Sequence, residues 1–171
     1  MKRDDIEFQN RSSPLGYLIT FRTFGTWLHG DKRGSMDRRT FNKFGGQPRS
    51  PNEALRASDL KMSRSPPFQM NKHQQQITEL AITEVCSFKA VLLFALNVRP
   101  NHAHVVVSFG GHKPETLMTA FKAYSTRALR NAGVVSDSEK LWSRHGSTKY
   151  LWTEEQIGGA VAYVKFEQGV D

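Results

Sequence analysis

The sequence predicts an α+β fold: an antiparallel sheet with helices on one face, plus a C-terminal helix. Three observations lead there. Segments of strand-like and helix-like periodicity alternate along the chain as strand, helix, strand, strand, helix, strand, helix. The first six of these match a split βαβ plait of the ferredoxin-like kind. The length of 171 residues, with no internal repeat, suits a single domain over 1–171.

Each element has a local reason. A polar N-terminal tail over 1–16 precedes Tyr17-Leu-Ile-Thr-Phe-Arg-Thr-Phe24, a β-branched and aromatic run of strand length that stops at Gly25. From 35 to 70 periodicity lapses. Pro48, Pro51, Pro66 and Pro67 punctuate an Arg- and Ser-rich stretch, which reads as an irregular insertion. Ile77, Leu80, Ala81, Ile82, Val85 and Phe88 then recur at spacings of three and four, predicting an amphipathic helix from Lys72 to Lys89. Val91 to Val98 reads as a buried strand, Arg99-Pro100-Asn101 as a turn, and His102 to Phe109 as its antiparallel partner.

Pro114 suits the first turn of a second helix, whose stripe is Leu117, Phe121, Tyr124 and Ala128 and which closes at Asn131-Ala-Gly133. A short strand is expected around Thr148 to Trp152. Thr153 and Gln156 form a capping-box pattern, with Glu154 and Glu155 at the positive end of the helix dipole. The last helix turns Ile157, Ala160, Val161 and Val164 inward.

Composition narrows the functional classes. Lys and Arg number 24 against 16 Asp and Glu, a net charge of +8 with pI ≈ 9.8, which points to a polyanionic partner such as nucleic acid. The longest apolar run, Ala90 to Leu96, is far short of the roughly 20 residues of a membrane span, so no membrane is expected. The single cysteine, Cys86, excludes an internal disulfide framework and a multi-cysteine zinc site, and it fits a reducing cytoplasm.

Two features carry chemistry. In His102-Ala103-His104-Val105 a strand's alternation sends both imidazoles to one face, close enough to share a divalent ion. Taken alone, such a pair more often marks ordinary strand histidines. Tyr163 sits on the margin of the last helix's apolar stripe, with Gly159 one turn earlier leaving room for the ring. That placement suits a nucleophile, although a partly buried structural tyrosine is the commoner outcome.

These residues belong to longer motifs. Arg99-Pro-Asn-His-Ala-His-Val-Val-Val107 resembles the His-hydrophobic-His motif of the single-tyrosine transposases, the HUH superfamily of insertion-sequence and REP-associated enzymes. Tyr17 to Asp31, His145-Gly-Ser-Thr-Lys-Tyr-Leu-Trp152 and Ala162-Tyr-Val-Lys-Phe-Glu-Gln-Gly169 resemble further segments of the REP-associated branch, in the same order. The resemblance implies that His102 and His104 hold a divalent metal, Mg²⁺ or Mn²⁺, and that Tyr163 is the nucleophile. It also implies that Gln168 completes the metal site. Helix geometry favours a different third ligand: Glu167 lies about 40° around the helix from Tyr163, and Gln168 about 140°.

The implied reaction is cleavage and rejoining of hairpin-forming single-stranded DNA through a 5′-phosphotyrosine. Arg22, Arg99, Lys122, Arg127, Arg130 and Arg144 are the candidate DNA contacts, with Trp27 or Trp142 as base-stacking partners. Both monomeric and homodimeric assemblies are compatible with these motifs. Two other readings use the same residues: a nucleic-acid-binding plait without catalysis, and a metal-dependent nuclease that activates water.

Overall fold

The structure is a computed structural model, and it describes residues 12–26, residue 54 and residues 65–166. Among the described residues, four strands and three helices of several turns follow in the predicted order. They are β1 (Gly16–Thr23), α1 (Lys72–Phe88), β2 (Leu93–Val98), β3 (His102–Ser108), α2 (Pro114–Asn131), β4 (Trp142–Leu151) and α3 (Glu154–Phe166). The strands form one sheet in the order β2-β3-β1-β4, and every neighbouring pair is antiparallel. This is the split βαβ plait that the element order predicts.

Strand alternation divides the sheet into two unlike faces. Tyr17, Ile19 and Phe21 of β1 and Ala103, Val105 and Val107 of β3 face one way. They build the larger core with Ile82 and Val85 of α1 and Leu117, Phe121 and Leu129 of α2. On the other face Val106, Ala95 and Leu151 meet Ala160 and Val164 of α3 in a much smaller core. The two longer helices thus share one face, and the tyrosine helix covers the other. Even-numbered residues of β1 and β3, among them Thr20, His102 and His104, lie on the α3 side.

Local signals place the helix starts. At α1, Asn71 Oδ1 accepts the Gln74 amide and Gln74 Oε1 accepts the Asn71 amide, a reciprocal capping box. At α3, Thr153 Oγ1 accepts the Gln156 amide at 3.1 Å, and Gln156 Oε1 accepts the Trp152 amide at 2.7 Å. The predicted cap is therefore made, with its return bond displaced by one residue. Pro114 opens α2, and Gly133 takes up the left-handed conformation just beyond its end.

Two boundaries differ from expectation. β4 begins at Trp142, well before the expected Thr148, because this edge strand is mostly exposed over 143–150 and carries no apolar alternation to announce it. The end of the expected insertion is tied into the core: Phe68 and Met70 are buried, and their amides donate to Phe24 O and Pro100 O. The rest of that insertion, from 35 to 64, lies outside the described residues apart from residue 54. At the other boundary Leu15, expected in the polar tail, donates to Leu151 O and accepts from the Phe109 amide. Among the described residues, no helix is long and apolar enough to cross a membrane.

Candidate active site

The α3 side of the sheet brings His102, His104 and Tyr163 together. His102 and His104 follow the pleat of β3, and their ring centroids are 4.7 Å apart at 79°. The ring of Tyr163 stands 5.6 Å from that of His104, also at 79°. His104 is buried and Tyr163 is 40% exposed, so a buried imidazole lies beside a phenol that solvent reaches.

Both imidazoles are oriented through Nδ1. Thr20, directly opposite His104 on β1, places its Oγ1 2.7 Å from His104 Nδ1. Asn101 Oδ1 lies against His102 Nδ1. An amide oxygen only accepts, so His102 donates from Nδ1 and its neutral form carries the lone pair on Nε2. Outer partners that hold one ring nitrogen are what a metal-ligating histidine needs, since they set its tautomer and aim. The pair therefore fits a divalent ion. Among the described residues no third His, Cys, Asp or Glu joins it. The two expected third ligands, Gln168 and Glu167, lie outside the described residues. Two neutral imidazoles hold a hard cation weakly and leave most of its coordination to oxygen ligands.

Asn97 is a site residue that strand and helix patterns do not reveal. It is the direct β2 partner of His104, and its Nδ2 donates to Val164 O at 3.0 Å, one residue from Tyr163. Only the register between two strands and a helix exposes that connection. Gly159 has a different surrounding from the one expected. A Cβ there meets nothing within 4 Å, so the glycine is not making room for the Tyr163 ring.

The basic residues divide between the faces. Arg22 is the β1 partner of His102 and so lies on the site's side of the sheet, and Arg99 sits in the turn next to His102. Lys122, Arg127 and Arg130 belong to α2, across the sheet from Tyr163. Lys122 Nζ donates to Ser143 O and His145 O and sits over the Phe21 ring, and burial lowers its pKa. Arg127 covers the Tyr124 ring, and Arg130 donates to Asp137 O.

Arg144 lines a groove of about 770 Å³ between α2 and β4, together with Lys122, His145 and Thr148. Trp142 is buried against Phe21, with Nε1 bonded to Lys122 O and Thr126 Oγ1. It is a core residue, not the base-stacking platform expected of it. Trp27 lies outside the described residues.

Comparison with known proteins follows the same lines. The structure of a REP-associated tyrosine transposase bound to a REP hairpin superposes with a TM-score of 0.51 at 14% identity, over 89% of this chain. This chain spans 65% of that one. A transposase-like protein from Deinococcus radiodurans R1 matches over 94% of this chain and 96% of its own, at 14% identity and a TM-score of 0.46. No curated protein matches. The family model described as "Transposase IS200 like" matches residues 62–155, more than half of the chain and including both site histidines; the chain belongs to the IS200-like transposase family.

Proposed function

We propose that this chain, read as one domain over 1–171, is a metal-dependent single-tyrosine transposase that cuts and rejoins hairpin-forming single-stranded DNA. The observation that carries this reading is the convergence of Tyr163 with the His102–His104 pair on one face of the sheet. Family membership supports it, as does the solved relative, which is a tyrosine transposase bound to a REP hairpin. The buried thiol of Cys86 and the absence of a membrane-spanning helix among the described residues accord with work in the cytoplasm.

The roles follow from position. His102 and His104 would hold Mg²⁺ or Mn²⁺, with Gln168 or Glu167 as third ligand. When bound, the ion supplies Lewis-acid polarisation of the scissile phosphate. Tyr163 Oη attacks phosphorus, the bond to the 3′-oxygen breaks, and the phenolic proton ends on that oxygen. The products are a 5′-phosphotyrosine and a 3′-OH. Attack by a 3′-OH on the phosphotyrosine reverses the step and joins strands with no external energy source. Arg22 and Arg99 stand on the reacting side to meet phosphates, and Arg144 offers a second basic locus across the sheet, where Lys122 is tied to backbone carbonyls.

The test is a denaturing gel of protein mixed with 5′- and 3′-labelled hairpin DNA, with Mn²⁺, with EDTA, and with Tyr163→Phe. The expected product is a Mn²⁺-dependent, SDS-resistant adduct carrying only the label 3′ of the cut, lost in the variant. Cleavage that survives in Tyr163→Phe would instead identify activated water as the nucleophile. Binding without cleavage would leave a DNA-binding module.

A further inference from the structure

We infer that Asn97 is the positioning residue that sets Tyr163 in register with the histidine pair. This rests on the transposase reading for its consequence, and on geometry for its substance. Helix α3 is held to the sheet by a small core of Ala160 and Val164 against Ala95, Val106 and Leu151. Partly buried Ile157 and Val161 of the helix and Leu18 and Phe94 of the sheet add to it, but apolar packing of this kind is non-directional and sets the helix's rotation and slide only loosely. A turn by one residue, about 100°, would carry Tyr163 off the histidines.

One directional bond resists that motion. Asn97 Nδ2 donates to Val164 O at 3.0 Å, and Asn97 is paired across the strand with His104. The same sheet row continues from His104 to Thr20, which holds the His104 ring. The helix end and the ligand imidazole are therefore indexed to one row of the sheet. Val164 O belongs to the last described turn of α3, so Asn97 grips the helix backbone at the residue next to the nucleophile.

The test compares wild type with Asn97→Asp, which keeps shape but removes the donor, and with Asn97→Leu. All carry 3-fluorotyrosine, and the Tyr163 signal is assigned through Tyr163→Phe. In ¹⁹F spectra of both variants the Tyr163 resonance shifts or broadens, whereas those of Tyr17 and Tyr124, on the opposite face, stay in place. On whichever tailed hairpin supports adduct formation by wild type, the single-turnover rate falls about 10- to 100-fold, with hairpin Kd unchanged within twofold.

An unmoved Tyr163 resonance overturns the inference, as does an unchanged rate. So does a shift of all the tyrosines together, which would mean general loosening. If wild type forms no adduct on any hairpin, the transposase reading fails while the ¹⁹F comparison still decides the role of Asn97.

Discussion

Thr20 and His104 face each other across β1 and β3, with Oγ1 and Nδ1 2.7 Å apart and both side chains buried. This contact holds one ring nitrogen and leaves Nε2 as the nitrogen that would meet a metal ion under the proposed reading. The Tyr163 ring stands 5.6 Å away between centroids.

Replacing Thr20 by Val keeps the side-chain shape and deletes the hydroxyl. Loss of such an outer partner weakens metal binding by roughly 10- to 100-fold. Titration of Mn²⁺ by calorimetry or by its EPR signal is the check, with Thr20→Ser expected to retain most of the affinity. Equal Mn²⁺ affinity in Thr20→Val and wild type would refute the aiming role.

The glycines separate into two classes with opposite expected outcomes. A Cβ on Gly146 would sit 2.4 Å from Thr20 O and 2.7 Å from Met118 Sδ, and one on Gly16 only 2.3 Å from Val107 O. Backbone atoms of paired strands cannot yield, so Gly146→Ala and Gly16→Ala should each cost about 1–3 kcal/mol. Gly158 and Gly159 are inside α3 with nothing near the position of a Cβ. Alanine there should stabilise the protein by about 0.5–1 kcal/mol. Urea denaturation of the four variants decides it, and a destabilised Gly159→Ala would contradict the open surroundings.

The sheet and its helices were legible because their apolar periodicity is strong. Strand alternation and helix position place His102, His104 and Tyr163 but do not distinguish them from structural residues; it is the resemblance of their motifs to those of single-tyrosine transposases that singles them out. What stayed hidden depends on contacts between distant segments. The Thr20 and Asn97 roles arise from strand register, which no local window contains. The first half of β4 leaves no trace in the sequence, because an edge strand with residues such as Arg144, Ser147 and Lys149 facing solvent has no hydrophobic pattern. Charge alone does not sort the basic residues: it identifies a partner class, but only the fold shows that Arg22 and Lys122 lie on opposite faces.

That division yields a third expectation. Arg22 is level with His102 on the reacting face, so Arg22→Gln should weaken hairpin binding and lower the slope of log K against log salt by about one. Lys122 is engaged with the carbonyls of Ser143 and His145. Lys122→Met should chiefly lower stability, by about 1–3 kcal/mol for carbonyls stripped of a charged donor, and leave the salt slope unchanged. Filter-binding isotherms at several salt concentrations, read beside thermal melts, separate the two effects. A lost unit of slope in Lys122→Met would show that its ammonium does reach phosphate.

Alkaline stability follows from two buried acids. Burial pushes the Cys86 thiol from 9.0 up to about 11, and Tyr17 from 10.0 up to about 12. For Tyr17 burial comes first, followed by the neighbouring Tyr150 and Glu115. In both cases the folded state keeps its proton where the unfolded chain has lost it. The stabilisation is therefore intact below pH 9 and is lost as pH rises, between 9 and 11 for the thiol and between 10 and 12 for the phenol. Lys122, whose pKa is lowered by burial, acts in the opposite sense below 10.5, so its contribution to stability rises with pH there. Denaturant midpoints at pH 8, 9.5 and 11 should fall steadily in wild type, and Cys86→Ala should flatten the part between 9 and 11. The Tyr17 hydroxyl donates to His112 O at 2.9 Å, a bond that ionisation abolishes. Tyr17→Phe should thus start less stable at pH 8 and lose less between 10 and 12. Parallel curves for wild type and both variants would mean that neither buried acid governs the alkaline limit.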